Sequence, residues 1–146
     1  MKKFVFSLQS VYDIVLSEEK QLKLRLKQLE DRLSWLNAEL DRLKEAYLDG
    51  KEECAREMQK GMGTDKLAQY SHYFESLMNT MILQKDNIIR TEAEKAKVTE
   101  ERIGVQKKIK TYEKVRERQW EEYRMEVKKE EENEIGDLVS YRAAIS

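Results

Sequence analysis

The chain has 146 residues, 39% of them charged, and it contains no proline. Its 28 lysines and arginines balance 29 aspartates and glutamates, and a net charge of −1 disfavours a sequence-independent nucleic-acid binder. One histidine and one cysteine are too few for a usual metal site or nucleophile–base pair, so the composition argues against an enzyme, a metal and a cofactor. A proline-free, charge-rich chain is typical of long exposed helices, because proline removes a hydrogen bond from the helical ladder.

The first residues are apolar but do not predict a signal peptide. The apolar stretch that follows Lys2 and Lys3 ends at Gln9, and no small-residue cleavage site comes after it. No stretch approaches the roughly 18 apolar residues of a transmembrane helix. A single cysteine, Cys54, fits a reducing compartment. We therefore expect a cytoplasmic protein without a transmembrane segment.

A heptad pattern runs through the first part of the chain. Its apolar residues alternate steps of four and three, and the register extends back to Val5 with Glu19 as the one charged member. This spacing is that of a coiled-coil seam, whereas an ordinary surface helix has a wider stripe and usually ends within about 20 residues. We predict a helix over residues 4–60, with the register fading after Gly50 and Cys54. The clearest seam residues are Leu22, Leu26, Leu29, Leu33, Leu36, Leu40, Leu43 and Tyr47.

One short segment interrupts the helical pattern. Gly61 and Gly63 can end a helix in left-handed geometry, and Thr64 or Asp65 can cap the next helix. A turn this short makes the two helices antiparallel neighbours. The sequence therefore predicts one all-α domain, residues 1–146: an antiparallel coiled-coil hairpin of helix 4–60, turn 61–64 and helix 65–132, followed by a tail over 133–146.

The position of the turn predicts which residues face each other. If the chain folds back at the two glycines, the residue numbers of partners sum to about 125. Each resulting pair joins two apolar residues: Leu22 with Ile103, Leu29 with Ala96, Leu36 with Ile89, Leu43 with Ile82, and Tyr47 with Met78.

A second apolar row lies one position away from this predicted seam on the second helix. Its members are Phe74, Leu77, Met81, Ile88 and Val98, and on the first helix Trp35 and Leu48 also occupy outward positions. A two-helix coiled coil has little room for a second row, so part of it is expected to face solvent or a partner. A broad seam or a homodimeric four-helix bundle would also bury it.

The second helix is longer than its predicted partner. With the same pairing, residues beyond about 122 have no partner and form a C-terminal helical overhang. Residues 102–118 carry seven Lys and Arg against two Glu, a net charge of +5, and residues 121–137 carry eight Glu and Asp against three Lys and Arg, a net charge of −5. Such runs are either a solvated helix face or an electrostatic guide toward a charged partner. Trp120, Tyr112 and Tyr123 are expected to pack with Phe4 and Val5 where the overhang begins.

Three segments, together with their order and the length of the chain, resemble those of a known protein family. They are Phe4-x-Phe6-x-Leu8 before a charged heptad helix, the Gly61/Gly63 turn before Tyr70-x-x-Tyr73-Phe74-x-x-Leu77, and the charged ending over residues 126–137. Together they resemble the FliJ family, the small coiled-coil component of the flagellar type III export apparatus. The pattern departs from the family at Gly50, where an aromatic residue is expected.

The resemblance implies a function and partners. FliJ-like proteins look like the central stalk of rotary ATPases: the end that carries both termini enters the hexameric export ATPase ring and promotes its assembly and activity. They also contact the cytoplasmic domain of the export gate and export chaperones, at the cytoplasmic face of the membrane. The ATPase-ring contact then falls on Phe4, Phe6, Leu8, Arg116, Arg118, Arg124 and Lys128. The export-gate contact falls on Tyr47, Tyr73, Phe74, Leu77 and Met81.

Two other interpretations follow from the same residues. One is a generic antiparallel coiled-coil adaptor or chaperone, including the virulence type III secretion counterpart, which would bind partners through the row of Phe74 and Met81 without affecting an ATPase. The other is a nucleic-acid-associated hairpin that uses residues 102–118, against which the neighbouring acidic run argues.

Overall fold

The computed structural model describes residues 2–146, which form two helices and, within that range, no strand. Helix α1 spans Gln9–Lys60 and helix α2 spans Thr64–Ile145, and the two pack as a helical hairpin, as the heptads predicted. The chain divides into two compact units. Unit 1 comprises residues 2–21 together with Arg102–Ser146, and unit 2 comprises Leu22–Glu101.

In unit 1, residues 2–8 precede α1 and are not helical; we call them the extended segment. The prediction of a helix from Phe4 is wrong, because α1 begins at Gln9, whose amide donates to the Phe6 carbonyl at 3.1 Å. Phe6 is 5% exposed and packs edge-on against Tyr12, whereas Val5 between the two phenylalanines faces solvent. Because these residues are not helical, Phe4 and Phe6 do not lie about 200° apart around a helix, and both can pack inward.

The turn in unit 2 is three residues long, residues 61–63. Gly61 has φ +92°, a left-handed conformation that favours glycine, as the sequence predicted. Gly63, and not Thr64 or Asp65, stands immediately before α2, and its carbonyl accepts from the Leu67 amide at 3.1 Å. Asp65 instead lies in the first turn of α2, where its charge complements the helix dipole.

The leucines of α1 form the core of unit 2. Leu29 is 1% exposed and packs with Leu26 against Val98 of α2. Leu36 and Leu40 pack against Ile88, with Leu33 and Met81 at the edge of this second cluster. The predicted α1 seam is thereby confirmed. It also continues further than predicted, since Gly50 and Cys54 are buried and Glu57, three residues on, is half-buried.

Helix α2 faces α1 in unit 2 with a different row from the one predicted. The row that faces α1 is the one predicted to be a second, outward row, together with polar residues that continue its spacing. Its members are Phe74, Leu77, Met81, Gln84, Ile88, Thr91, Lys95 and Val98. The predicted partners Met78, Ile82, Ile89 and Ala96 are exposed, Ile89 by 64%. The two rows are one residue apart, which is a rotation of about 100° around the helix. The residue-number sum located partners along the axis but could not determine which way each side chain points.

Polar residues can occupy this seam because each finds a partner. The Gln84 side-chain amide donates to the Leu36 carbonyl at 3.2 Å, and the Thr91 hydroxyl donates to the Asn87 carbonyl at 2.7 Å. In unit 1, the Arg102 guanidinium lies 3.0 Å from the Glu19 carboxylate. Glu19, the one charged residue of the predicted α1 seam, thus faces a cation that α2 supplies.

Helix α2 continues through the residues predicted to be a tail. The sequence placed its end at 132, but the helix runs to Ile145, and the isolated Gly136 does not stop it. A single glycine costs a helix about 1 kcal/mol relative to alanine, which a long helix tolerates. Every residue from Lys128 onward is exposed, which agrees with the predicted helical overhang.

Candidate functional site

Three aromatic rings hold the extended segment of unit 1 against α2. The Phe4 ring lies 5.1 Å from the Trp120 ring, edge-on, and 5.6 Å from the Tyr123 ring, while Trp120 and Tyr123 stack at 5.6 Å. The Tyr123 hydroxyl donates to the Lys2 carbonyl at 2.6 Å. We call Phe4, Trp120 and Tyr123 the aromatic clasp. The predicted cluster is confirmed for these three but not for Val5, which faces solvent, or for Tyr112, which packs on Tyr12.

Polar contacts extend the clasp along unit 1. The Gln119 side-chain amide donates to the Ser7 hydroxyl at 2.9 Å, and the Tyr12 hydroxyl donates to Glu113 at 3.3 Å. Burial raises the pKa of the Tyr12 hydroxyl, and the Glu113 carboxylate adds to the shift because it disfavours a phenolate beside it. These contacts fix the extended segment to one face of α2.

The predicted ATPase-ring residues all lie in unit 1, but they differ in accessibility. Phe6 is buried and Leu8 is half-buried, so both support the segment from within, and Phe4 belongs to the clasp. The four cations face solvent, and the Arg124 guanidinium lies 3.4 Å from the carboxylate of Glu121. The side chains available to a partner are therefore Arg116, Arg118, Arg124 and Lys128.

An open groove runs beside the clasp in unit 1. Lys2 and Lys3 line one side, and Phe4 and Val127 contribute apolar surface. Along α2 the groove is bordered by an acidic row at intervals of four residues: Glu122, Glu126 and Glu130. The groove is thus lined by charges of both signs and by apolar side chains.

The predicted export-gate residues lie in unit 2, around a cluster of aromatic rings. Phe74 packs edge-on against Tyr47 at 5.4 Å and stacks on Tyr70 at 6.1 Å, with Tyr73 at 5.8 Å. We call Tyr47, Tyr70, Tyr73 and Phe74 the tyrosine cluster. A Cβ on Gly50 would lie 3.1 Å from ring carbons of both Tyr73 and Phe74, so the glycine makes room for the rings. This explains why no aromatic residue occupies position 50.

The members of the gate prediction are unequally exposed. Tyr73 is 43% exposed, whereas Tyr47, Phe74, Leu77 and Met81 are half-buried in the seam. The expectation that Phe74 and Met81 belong to an outward row is wrong, because they face α1. Trp35 and Leu48 do face outward, as predicted.

Two exposed apolar surfaces were not recognised from the sequence. In unit 2, Met78, Ile82 and Ile89, which the pairing predicted to lie in the seam, face solvent instead. In unit 1, five large side chains near the end of α2 are 60–68% exposed, and three of them, Ile135, Leu138 and Ile145, recur at steps of three and seven. We call this second surface the terminal apolar face; it consists of Ile135, Leu138, Val139, Tyr141 and Ile145.

The fold and these surfaces define a class of protein. Between Lys2 and Ser146 no group of three or more metal-ligating side chains converges, and no helix has the length and apolarity that crossing a membrane requires. The described residues form a seam of leucines and an aromatic clasp, and they expose charged and apolar side chains to solvent. This is a two-helix coiled coil with surfaces suited to protein partners.

The family comparison agrees with this class. The family model described as "Flagellar FliJ protein" matches residues 4–145, and the chain belongs to the FliJ family. It is therefore a component of flagellar protein export and belongs to a family of structural proteins. The curated proteins and the solved structures yield no match to the chain.

Proposed function

We propose that the chain is the stalk-like coiled coil of a flagellar export apparatus. Unit 1 docks into the hexameric export ATPase ring and promotes ring assembly and ATP hydrolysis. Unit 2 contacts the cytoplasmic domain of the export gate, and export chaperones bind the same protein. These contacts hold it at the cytoplasmic face of the membrane.

The observation that carries the proposal is the family match over residues 4–145. Because the matched family is the flagellar one, it favours this function over the virulence counterpart and over an unrelated adaptor. The full span of the match includes both the extended segment and the C-terminal part of α2, the two elements that the aromatic clasp joins.

The exposed charges of unit 1 support the ring contact. Arg116 and Arg118 lie in the basic run of net charge +5, on a part of α2 that is ordered by Ser7, Tyr12 and the clasp. Side chains on an anchored helix lose little further entropy on binding, so a charged partner can select this surface.

A noncatalytic coiled coil can activate a hexameric ring because its symmetry differs from that of the ring. A two-helix hairpin has no six-fold symmetry, so it contacts only some subunits of a hexamer at one time. Contacts that favour one subunit conformation over another shift its population and couple the subunits. Binding to the assembled ring but not to free subunits also stabilises the ring by mass action.

The export-gate contact is placed on the tyrosine cluster. Tyr73 offers an exposed ring with a polar tip, and Phe74 and Gly50 hold that ring in position. Tyr47, Leu77 and Met81 form the half-buried base of this surface.

The first test measures ATP hydrolysis and ring formation by the flagellar export ATPase of the same organism, with and without this chain. We expect stimulation by the full chain, and its loss when residues beyond 121 are removed. A sharper variant reverses two charges, Arg116→Glu with Arg118→Glu, and should lose most of the stimulation while retaining helicity. The matched control, Lys44→Glu with Lys97→Glu, changes two exposed cations of unit 2 and should stimulate as the unaltered chain does. Absence of stimulation by the full chain, under conditions where the ATPase forms rings, would refute the ring contact.

A second test addresses the gate. Tyr73→Ala should weaken binding to the purified cytoplasmic domain of the export gate at least about fivefold, without lowering the melting temperature, because the ring is exposed. Tyr141→Ala removes a more exposed tyrosine, 65% against 43%, from unit 1 and should leave gate binding unchanged. Equal binding by both variants would remove Tyr73 from the gate surface.

A further inference from the structure

Helix α2 carries an apolar row in unit 2 on a side that does not pack against α1. Met78, Ile82 and Ile89 are 49%, 61% and 64% exposed, and Ala93 and Ala96 continue the row in solvent. We call these five residues the outer stripe. Apolar side chains grouped on one surface cost solvation free energy until a partner covers them. The outer stripe is therefore a candidate interface.

The outer stripe is narrow and contains no charged residue. At 100° per residue, its five members fall within about 60° of the helix surface, and no other residue between 76 and 99 falls in that arc. The stripe lies about 100° around α2 from the row that packs on α1. A helix with two separate apolar rows can pair with one helix along each row. Helix α1 occupies one row, and the outer stripe is available to another helix.

The spacing of the outer stripe is symmetric. Two antiparallel copies of α2 can be aligned so that the numbers of facing residues sum to about 171. Ile82 then comes level with Ile89 of the second copy, and Met78 comes level with Ala93 of the second copy. The same pairs recur with the copies exchanged, about a two-fold axis near residue 86. Most homodimers form through a self-complementary contact of this kind.

The charges beside the stripe also match about this axis. Glu75 and Lys97 lie on the same edge of the stripe, and each comes level with the other residue of the second copy. Asp86 comes level with its own counterpart, but its carboxylate already pairs with the Arg90 guanidinium at 3.0 Å. On the other edge, Lys85 can turn its long side chain toward solvent. Two pairs of opposite charge thus flank the apolar contact and favour a second copy.

The size and edges of the stripe limit its occupant further. A helix that lies on a membrane surface carries mainly lysine and arginine on its polar side, whereas these edges carry Asp86 and Glu92 as well as Lys85 and Arg90. A stable interface takes about 20 to 30 residues from each side, and the stripe with its edges offers roughly half of that. A second copy would therefore bind weakly and reversibly.

We propose that the chain forms a weak, reversible homodimer in which the outer stripes of two copies pack antiparallel about a two-fold axis near Asp86. The interface uses residues of unit 2 alone. The inference does not rest on the proposed ring and gate contacts. The ATPase assay is run well below the Kd of the dimer, so its outcome does not depend on this interface.

The first test is analytical ultracentrifugation of the full chain over a concentration series. The unaltered chain should pass from monomer to dimer with a Kd of about 10–200 μM. The stripe variant, Ile82→Gln with Ile89→Gln, removes four apolar side chains from each dimer and should raise Kd at least about tenfold. The control variant, Leu24→Gln with Trp35→Gln, changes two side chains of α1 that are 61% and 62% exposed, and should dimerise as the unaltered chain does. Circular dichroism verifies that both variants keep their helices.

A second test measures the position of the two-fold axis. Asp86→Cys places a thiol at the axis, so a short bismaleimide should link two copies. Glu100→Cys lies on the same side of α2, but the two thiols of a dimer would be about 40 Å apart and should not be linked. The native Cys54 is buried, and the unaltered chain is the blank for its reaction.

A third test exchanges the charges at the edge. Lys97→Glu places two carboxylates opposite each other and should raise Kd about twofold to fivefold at low salt, with a smaller effect at high salt. Adding Glu75→Lys to Lys97→Glu restores opposite charges and should return Kd to that of the unaltered chain. Failure of this exchange to restore Kd would contradict the pairing of the two residues.

Other outcomes would overturn the homodimer. A chain that stays monomeric up to about 1 mM refutes it, as does a stripe variant that dimerises as well as the control. Linkage at both 86 and 100 means that the copies pack in another arrangement. If the chain is monomeric and the stripe variant loses binding to the export-gate domain or to the ATPase, the stripe belongs to that partner. Stimulation of the ATPase by the unaltered chain is a separate measurement, so the proposed function stands or falls independently.

Discussion

Units 1 and 2 are built from the same two helices but are held together by different interactions. In unit 2, consecutive leucines of α1 supply the buried surface, and Leu29 and Leu36 are almost completely enclosed. In unit 1, Phe6, Val15 and Val105 are buried. Aromatic rings, a charge pair between Glu19 and Arg102 and side-chain hydrogen bonds add to the contacts between its segments.

The two units differ in how much apolar burial contributes to their stability. Apolar burial scales with the area removed from water, so unit 2, which holds most of the buried apolar side chains, gains the larger share of stability. Unit 1 buries fewer apolar side chains, namely Phe6, Val15 and Val105, and relies more on contacts between aromatic and polar groups. Substitutions in the leucine seam of unit 2 should therefore affect folding more than substitutions in unit 1 do.

The largest stability effect is expected at Leu29. Leu29→Ala leaves a cavity between Leu26 and Val98 and should lower the free energy of unfolding by about 2–4 kcal/mol, measured by urea denaturation followed by circular dichroism. Trp35→Ala, on the same helix but 62% exposed, should change it by less than about 0.5 kcal/mol. Similar losses in the two variants would contradict the leucine seam.

The next effect is expected at Gly50. Gly50→Leu forces a side chain against the rings of Tyr73 and Phe74 and should destabilise unit 2 by about 1–3 kcal/mol. Gly104→Leu makes the same change in unit 1, where a Cβ meets nothing within 4 Å, and should stabilise the helix by about 0.5–1 kcal/mol. Thermal unfolding of both variants checks the opposite signs, and stabilisation by Gly50→Leu would show that the rings move aside freely.

A smaller, local effect is expected at Tyr123. Tyr123→Phe removes the hydrogen bond to the Lys2 carbonyl and should weaken attachment of the extended segment by about 0.5–1.5 kcal/mol. The measurement is hydrogen exchange of the Ser7 amide, which donates to Gln119 and should exchange faster once the segment detaches. Tyr141→Phe, at an exposed tyrosine, is the control and should leave that exchange rate unchanged.

The smallest effect is a pH dependence in unit 1. Because burial and Glu113 raise the folded-state pKa of Tyr12, the folded state binds the proton more tightly than the unfolded state does. The resulting stabilisation is fully present below pH 10, the ordinary tyrosine value, and is lost as the pH rises from there through the folded-state pKa. The melting temperature of the unaltered chain should fall relative to that of Tyr12→Phe between pH 9 and pH 11. A constant difference across that range would mean that Tyr12 does not titrate differently on folding.

Much of the fold follows from local patterns. The steps of four and three on α1 and the Gly61 turn predict the hairpin. Apolar heptads indicate a helix that pairs with another helix, and a left-handed glycine commonly ends a helix. The aromatic clasp also follows from the sequence, since the fold-back point places Phe4 near Trp120 and Tyr123. The prediction of a tail over residues 133–146 does not indicate the terminal apolar face, which depends on α2 continuing to Ile145.

The sequence by itself determined two long helices, their antiparallel order, the leucine seam of α1 and membership of an export family. The tertiary structure decided which row of α2 faces α1, because α2 carries two apolar rows and neither is uniformly apolar. The choice depends on partners across the seam: Gly50 gives space to Phe74, the Leu36 carbonyl accepts from Gln84, and Glu19 pairs with Arg102. The periodicity of a sequence shows how apolar each row of a helix is. It does not show whether side chains of the two helices match in shape and charge, and these contacts depend on that match.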